Sequence, residues 1–374
     1  MKHRISKLAL ILIAAAGLAA FAPAVSIAQG QAETDDPLLY VCNQNGASIS
    51  VVDMERNEVI HTIDLRALGF SENARPHHIA VEPDGSYWYV SLIGENRVLK
   101  FNRNNEIVGQ ASFETPGMLA LDPASDLLYV GRSMSAVNPP QSIGIIDRTD
   151  MSIEEIDVFF PRPHALVVDP RTSLAYSGSM TIDQIATIDG EALDVALTTI
   201  DSQAGHVTHA GMSHGNMFVQ FAIAPDSPTL VVGGEMTNQV LFIDLSNPQS
   251  PVLTGTVAVN AKPWDPVFTP DGRYIYLGNN GANTVTVLDA KERTVVDVIS
   301  GEGLSEPYGI AIRPDGRYVY VSNSNLQGAY TPRRAVEKAS DVGTLAVIDT
   351  ETREIVKILE VGANPTGIGT VRTY

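Results

Sequence analysis

The chain has 374 residues, with 43 Asp and Glu against 25 Lys and Arg and a formal net charge of -18. So acidic a surface repels nucleic acid and anionic membranes over most of its area, and neither is an expected partner. Cys42 is the single cysteine, so no internal disulfide is possible, and strand pairing and an apolar core must hold the fold.

The chain opens with a positive start, Lys2, His3, Arg4 and Lys7. An apolar run follows from Leu8 to about Phe21, and Ser26 and Ala28 put small residues where a signal peptidase cuts. Residues 1–28 read as a signal peptide cleaved after Ala28, and 29–374 as one domain, periplasmic or secreted. The run is short for a spanning helix and no second one follows, so no membrane span is expected after cleavage.

Three strands come next: Leu38–Asn43, Ser48–Asp53 and Val59–Asp64. From Pro76 onward one pattern recurs. A Pro leads into a short apolar strand, the chain reverses at a Pro-Asp or Asp-Pro turn, and a second strand contains Tyr-Val or a close variant. A third strand ends in Asp and a fourth follows. The turn has a physical basis, since Pro presets φ, Asp caps its own turn and Gly accepts positive φ. Pro76 leads to Pro83-Asp84-Gly85, Pro116 to Asp122-Pro123, and Pro163 to Asp169-Pro170. A degenerate copy around Phe218–Ala222 leads to Pro225-Asp226. The clearest copies start at Lys262-Pro263 and Glu306-Pro307 and turn at Pro270-Asp271-Gly272 and Pro314-Asp315-Gly316.

Six complete units at spacings of roughly 40–55 residues match four-stranded propeller blades. The three strands near the N-terminus lack a first strand, and Asn364-Pro365 followed by Thr366–Val371 supplies it. The expectation is an all-β fold, a seven-bladed β-propeller of four-stranded antiparallel blades, closed by pairing N- and C-terminal strands in one blade. Such closure removes free sheet edges. No helical period separates the strands.

The second strands carry Tyr-Val-Cys-Asn at 40–43, Tyr-Val-Gly-Arg at 129–132 and Tyr-Val-Ser-Asn at 320–323. This resembles the YVTN-repeat propeller family over nearly the whole mature chain, within a group that includes lactonase, cytochrome d1 and nitrous oxide reductase N-terminal-like propellers. The resemblance implies the fold, and its members serve many roles.

In this topology the Pro-Asp turns lie on one face of the ring. The opposite face collects the irregular segments: the inserts Ser133–Ser142 and Ser324–Val342 and the link Asp201–Met217. Long loops on a rigid scaffold are where function concentrates, so this loop-rich face is the expected site and also the expected surface for any protein partner. The insert with Tyr330, Arg333, Arg334 and Lys338 reads as a solvated loop, with a lid or a partner contact as alternatives.

Six of the eight histidines fall there. His77, His78 and His164 begin inner strands, and His206, His209 and His214 lie in the long link. Neutral imidazole is a common metal ligand, so the six are candidate ligands for a transition metal, copper first, with zinc or iron as alternatives. The His77-His78 pair, with histidines from other blades, resembles the copper-cluster propeller of nitrous oxide reductase, without its binuclear-copper Cys/His domain. In a regular strand neighbouring side chains point to opposite faces, so both could bind only where the strand is irregular.

Arg75, Arg162 and Lys262 each precede a first-strand Pro and are candidate binders of a small anionic ligand. Trp264, Asp265 and Tyr308 complete that rim. There is no phosphate-cradling Gly loop, no Gly-x-Ser-x-Gly elbow and no Cys-x-x-Cys, so no nucleotide cofactor is expected. The leading reading is an exported propeller binding a metal or small anion at this rim. Two alternatives use the same residues: a metal-dependent oxidoreductase or a lyase or lactonase, and a non-catalytic interaction scaffold.

Overall fold

Tight turns and short β-branched strands leave the chain one economical arrangement, in which each strand pairs with the one before it. A computed structural model describes residues 37–133, 141–200, 206–207 and 213–371, with the side chains of 206, 207, 213 and 214 excluded. The segment read as a signal peptide therefore lies outside the described residues. Seven four-stranded antiparallel sheets form. Three examples run Pro76–Val81, Tyr87–Leu92, Arg97–Asn102 and Ile107–Ser112; Pro263–Phe268, Tyr274–Asn279, Thr284–Asp289 and Thr294–Ser300; and Pro307–Ile312, Tyr318–Asn323, Thr344–Asp349 and Ile355–Glu360. The first strands of successive blades contact one another in an unbroken ring around a central channel.

The expected closure is present. Pro365–Thr370 pairs with Leu38–Asn43, placing Thr370 opposite Leu39 and Ile368 opposite Val41. The blade continues outward through Ser48–Asp53 and Glu58–Asp64. Single turns of 3-10 helix are the only helical elements among the described residues.

The repeated Tyr has a structural task. Its ring is buried between blades, and in two copies its hydroxyl donates to the next blade. Tyr320 donates to the carbonyl of Met54 at 3.2 Å and Tyr276 to that of Thr350 at 3.4 Å. Cys42 is fully buried, as expected for a small apolar residue in a strand. Trp88 stacks between Tyr40 and Phe101, with ring centres 4.4 and 4.1 Å away.

Each inner strand begins with the same irregularity. The preceding residue has positive φ in every blade: Arg75 (52°), Thr115 (44°), Arg162 (54°), Met217 (59°), Lys262 (56°), Glu306 (58°) and Asn364 (51°). None is glycine, so each carries the steric cost of the left-handed region, about 1–2 kcal/mol. The pairing register then shifts within the first residues, as between Pro76 and Ile79 and between Pro307 and Ile310. This bulge lifts the second and third residues out of the regular alternation.

The insert after Tyr318–Asn323 is fastened down. Buried Asn325 donates through its side-chain amide to the carbonyls of Tyr330, Ala339 and Val342 and accepts from the Tyr330 N–H. Tyr330 is buried, and Arg333 and Arg334 pair with Glu302 and Glu360. The insert is otherwise solvated, with Arg333, Arg334 and Lys338 exposed, and Asn325 and Tyr330 anchor it to the blade.

Candidate functional site

The bulge decides where the loop-end side chains go. The second residues of the seven inner strands are His77, Gly117, His164, Val219, Trp264, Tyr308 and Thr366. Four of them carry rings, and the rings meet. His77 lies 6.1 Å from His164 and 6.0 Å from Tyr308, and Trp264 lies 4.8 Å from Tyr308, all edge to face by ring centres. Gly117 stands between the two histidines in ring order. A Cβ there would come within 2.7 Å of the Arg132 backbone, so glycine is required. These rings form a collar at the loop-rich end of the channel.

Both collar histidines are buried, His77 at 3% and His164 at 1% exposure. Each has one ring nitrogen engaged. His164 Nδ1–H donates to the Val219 carbonyl at 2.7 Å, and His77 Nδ1–H donates to Gln44 Oε1 at 3.2 Å. Each Nε2 is buried with no hydrogen-bond partner, as is Trp264 Nε1. Buried polar atoms are usually paired, and although unpaired ones also occur elsewhere in this fold, three of them share this collar.

The charge state follows from the surroundings. Burial, with a smaller contribution from Arg162, holds His164 down to about 4. Burial, then His164, His78 and Arg75, hold His77 well below the usual histidine range. At neutral pH both rings are uncharged and offer lone pairs at Nε2. Tyr308 is pushed the other way, by burial and then by the Asp265 and Glu235 carboxylates, and keeps its proton.

The remaining expected residues divide by task. His78 Nδ1 accepts the Leu119 N–H at 3.2 Å, and Asp265 Oδ2 accepts the Ile310 N–H at 3.1 Å. Both are third residues of their strands, and both stitch one blade to the backbone of the next. Lys262 pairs with Glu235 at 3.6 Å. Arg75 acts on His77 and Tyr308 and has no carboxylate partner among the described residues. His206 and His214 face each other across a two-residue ladder, with their side chains outside the description, and His209 lies outside the described residues altogether. Among the described residues no group of three or more His, Cys, Asp or Glu is placed to hold a metal ion. The expected six-histidine cluster is thus described only as a pair with His78 alongside. Gln44, which holds His77, was not singled out from the sequence. It sits in a 3-10 turn of a different blade, and no spacing links the two.

No protein-family model and no curated protein matches the chain. Solved structures do. A functionally unknown protein from Desulfotomaculum acetoxidans superposes with a TM-score of 0.69 at 14% identity, over 90% of this chain and 99% of that one. Dihydro-heme d1 dehydrogenase NirN, in complex with DHE, gives 0.58 at 15% identity, over 89% and 75%. Streptogramin B lyase gives 0.58 at 11% identity, over 79% and 86%. Similarity at these identities carries the fold and none of the chemistry. By architecture the chain is a seven-bladed β-propeller, closed through its own two ends.

Proposed function

We propose that the collar binds a transition-metal ion through Nε2 of His77 and His164, and that copper(I) is the ion it suits. The observation that carries this reading is the pair of buried, uncharged imidazoles with unpartnered Nε2 atoms and engaged Nδ1 atoms. Metal-binding histidines typically donate their other N–H to a carbonyl or carboxylate in this way. A metal–nitrogen bond is about 2.0–2.1 Å and a ring centre lies about 1.1 Å further, so two imidazoles on one ion have centres about 5.2 Å apart at a tetrahedral angle and about 6.4 Å apart in line. The separation of 6.1 Å lies near the in-line limit. Copper(I) accepts two nitrogen ligands in line, and imidazole suits copper. Arg75 and Arg162 act on these rings, and their field opposes a doubly charged ion more than a singly charged one.

Acid–base catalysis by the same pair is less well supported, since a general base works best with a pKa near the operating pH. His164, held to about 4, is far below it. A second reading, a small anion at the rim, is favoured by Arg75, which has no carboxylate partner among the described residues. The start of the chain, with its basic residues and apolar run, supports export, and Gln29 as the first residue of protein recovered from the periplasm checks it.

Anaerobic titration with copper(I), followed by metal analysis after desalting, tests the main reading. The wild type is expected to retain one equivalent. His77→Ala and His164→Ala are each expected to lose at least 100-fold in affinity, while His78→Ala retains the metal. A His206/His209/His214 triple alanine variant reports what the long link adds. Wild-type protein that retains no copper, or a His164→Ala variant that retains it fully, removes the proposal. Arg75→Ala separates the second reading, since it abolishes acetate binding only if an anion sits at the rim.

A further inference from the structure

Two lone pairs account for only part of the collar. Trp264 stands beside Tyr308, their ring centres 4.8 Å apart, and its Nε1–H is buried without an acceptor. An indole N–H only donates, so no metal ion can satisfy it. Tyr308 brings a second donor, since its phenol keeps its proton at neutral pH. Its ring meets that of His77 at 6.0 Å, edge to face, which joins the donor side of the collar to the histidine side. Arg75 adds a positive charge that acts on both His77 and Tyr308.

The spacing of the histidines leaves an ion between them open on one side. With about 3.2 Å from the ion to each ring centre, centres 6.1 Å apart set the two metal–nitrogen bonds at about 145°. Two bonds bent in this way leave the wider side of the ion free for a third ligand. The surroundings select its chemistry. A neutral ligand would leave the charges of the ion and Arg75 uncompensated among buried rings. An anion offsets them and accepts the Trp264 N–H in a charge-assisted hydrogen bond. Asp265 and Glu235 also act on Tyr308, and their field favours a singly charged anion over a doubly charged one. Both carboxylates are already engaged, Asp265 with the Ile310 N–H at 3.1 Å and Glu235 with Lys262 at 3.6 Å. Copper(I) is a soft ion and selects soft ligands.

We infer that the collar holds copper(I) together with one small, soft, singly charged anion, bound to the ion and hydrogen-bonded to Trp264 Nε1–H. The inference rests on the copper reading. It differs from an anion held at the rim by Arg75 alone, because it needs the metal.

X-ray absorption at the copper edge tests this, on copper(I)-loaded protein kept anaerobic in halide-free buffer and then titrated with bromide. Wild-type protein is expected to show two histidine nitrogens before bromide, and the same two with one bromine neighbour per copper after it. Copper-free protein is expected to retain no bromide. Trp264→Phe keeps a ring against Tyr308 and removes the N–H. It is expected to hold copper through the same two nitrogens and to bind bromide at least 10-fold more weakly. Three results would overturn the inference and leave the copper reading standing: copper-loaded wild type with no bromine neighbour, bromine that appears only as the histidine nitrogens are lost, or a Trp264→Phe variant that binds bromide as tightly as the wild type. Wild-type protein that holds no copper would overturn both.

Discussion

A chain that stops at Asn364 is expected not to fold. The missing strand, Pro365–Thr370, is the inner strand of the blade that joins the two chain ends. Its side chains are buried throughout, Ile368 at 5% and Thr366 at 1% exposure. It also ties three neighbours together. Ser322 Oγ donates to the Thr366 carbonyl at 2.5 Å, Thr366 Oγ1 to the His77 carbonyl at 3.2 Å, and Thr370 Oγ1 to the Leu38 carbonyl at 2.7 Å. Without it the ring opens, and the blades on both sides lose a packing partner. The loss exceeds a net stability that is typically only about 5–15 kcal/mol. Circular dichroism melting should show no cooperative transition, and gel filtration should show aggregate. A truncated chain that melts like the wild type would mean the closing strand is dispensable.

The second large effect is loss of stability in mild acid. His164 is buried and neutral, with a folded-state pKa of about 4 against an unfolded value of about 6.5. Between those values the unfolded chain binds a proton that the folded chain refuses, so stability rises with pH. The contribution is present in full above pH 6.5 and is lost as the pH falls to about 4. At about 1.4 kcal/mol per pH unit, this amounts to about 3 kcal/mol. His77, shifted in the same direction, adds to the loss. The turn carboxylates Asp84, Asp244 and Asp271 are also held below their usual range, chiefly by the hydroxyls of Ser86, Ser246 and Thr269, but they act only below about pH 4. Urea unfolding at pH 7.0 and 4.5 measures the effect. His164→Asn offers a non-titrating amide for the Val219 carbonyl, so its pH dependence over this window should flatten. An unchanged slope in that variant would place the linkage elsewhere.

Most of the fold was legible because its signals are local. The turns at Pro83-Asp84-Gly85 and Pro270-Asp271-Gly272 fix where strands reverse, and the bounds of Ser48–Asp53 and Thr284–Asp289 follow from the repeat, whose third strand ends in Asp. Even the closure could be read, since the first blade lacked a strand and the last segment had no partner. The site was less legible, because its contacts run between blades. Placing His77 and His164 on one rim needed only the repeat. Learning that Gln44 and Val219 hold their Nδ1 atoms needed the structure. His78 and Asp265 could be picked out by residue type and position, but that each accepts a neighbouring blade's backbone N–H could not.

The central claim is that two neutral imidazoles present their Nε2 lone pairs to one ligand. Long-range proton–nitrogen correlation spectra of 15N-labelled protein at pH 7, before and after one equivalent of copper(I), test it most directly. The account expects His77 and His164 both neutral and protonated at Nδ1 before addition, with both Nε2 resonances, and no other histidine pair, shifting on addition. Protonation at Nε2 in either ring, or two Nε2 resonances untouched by copper, would contradict it.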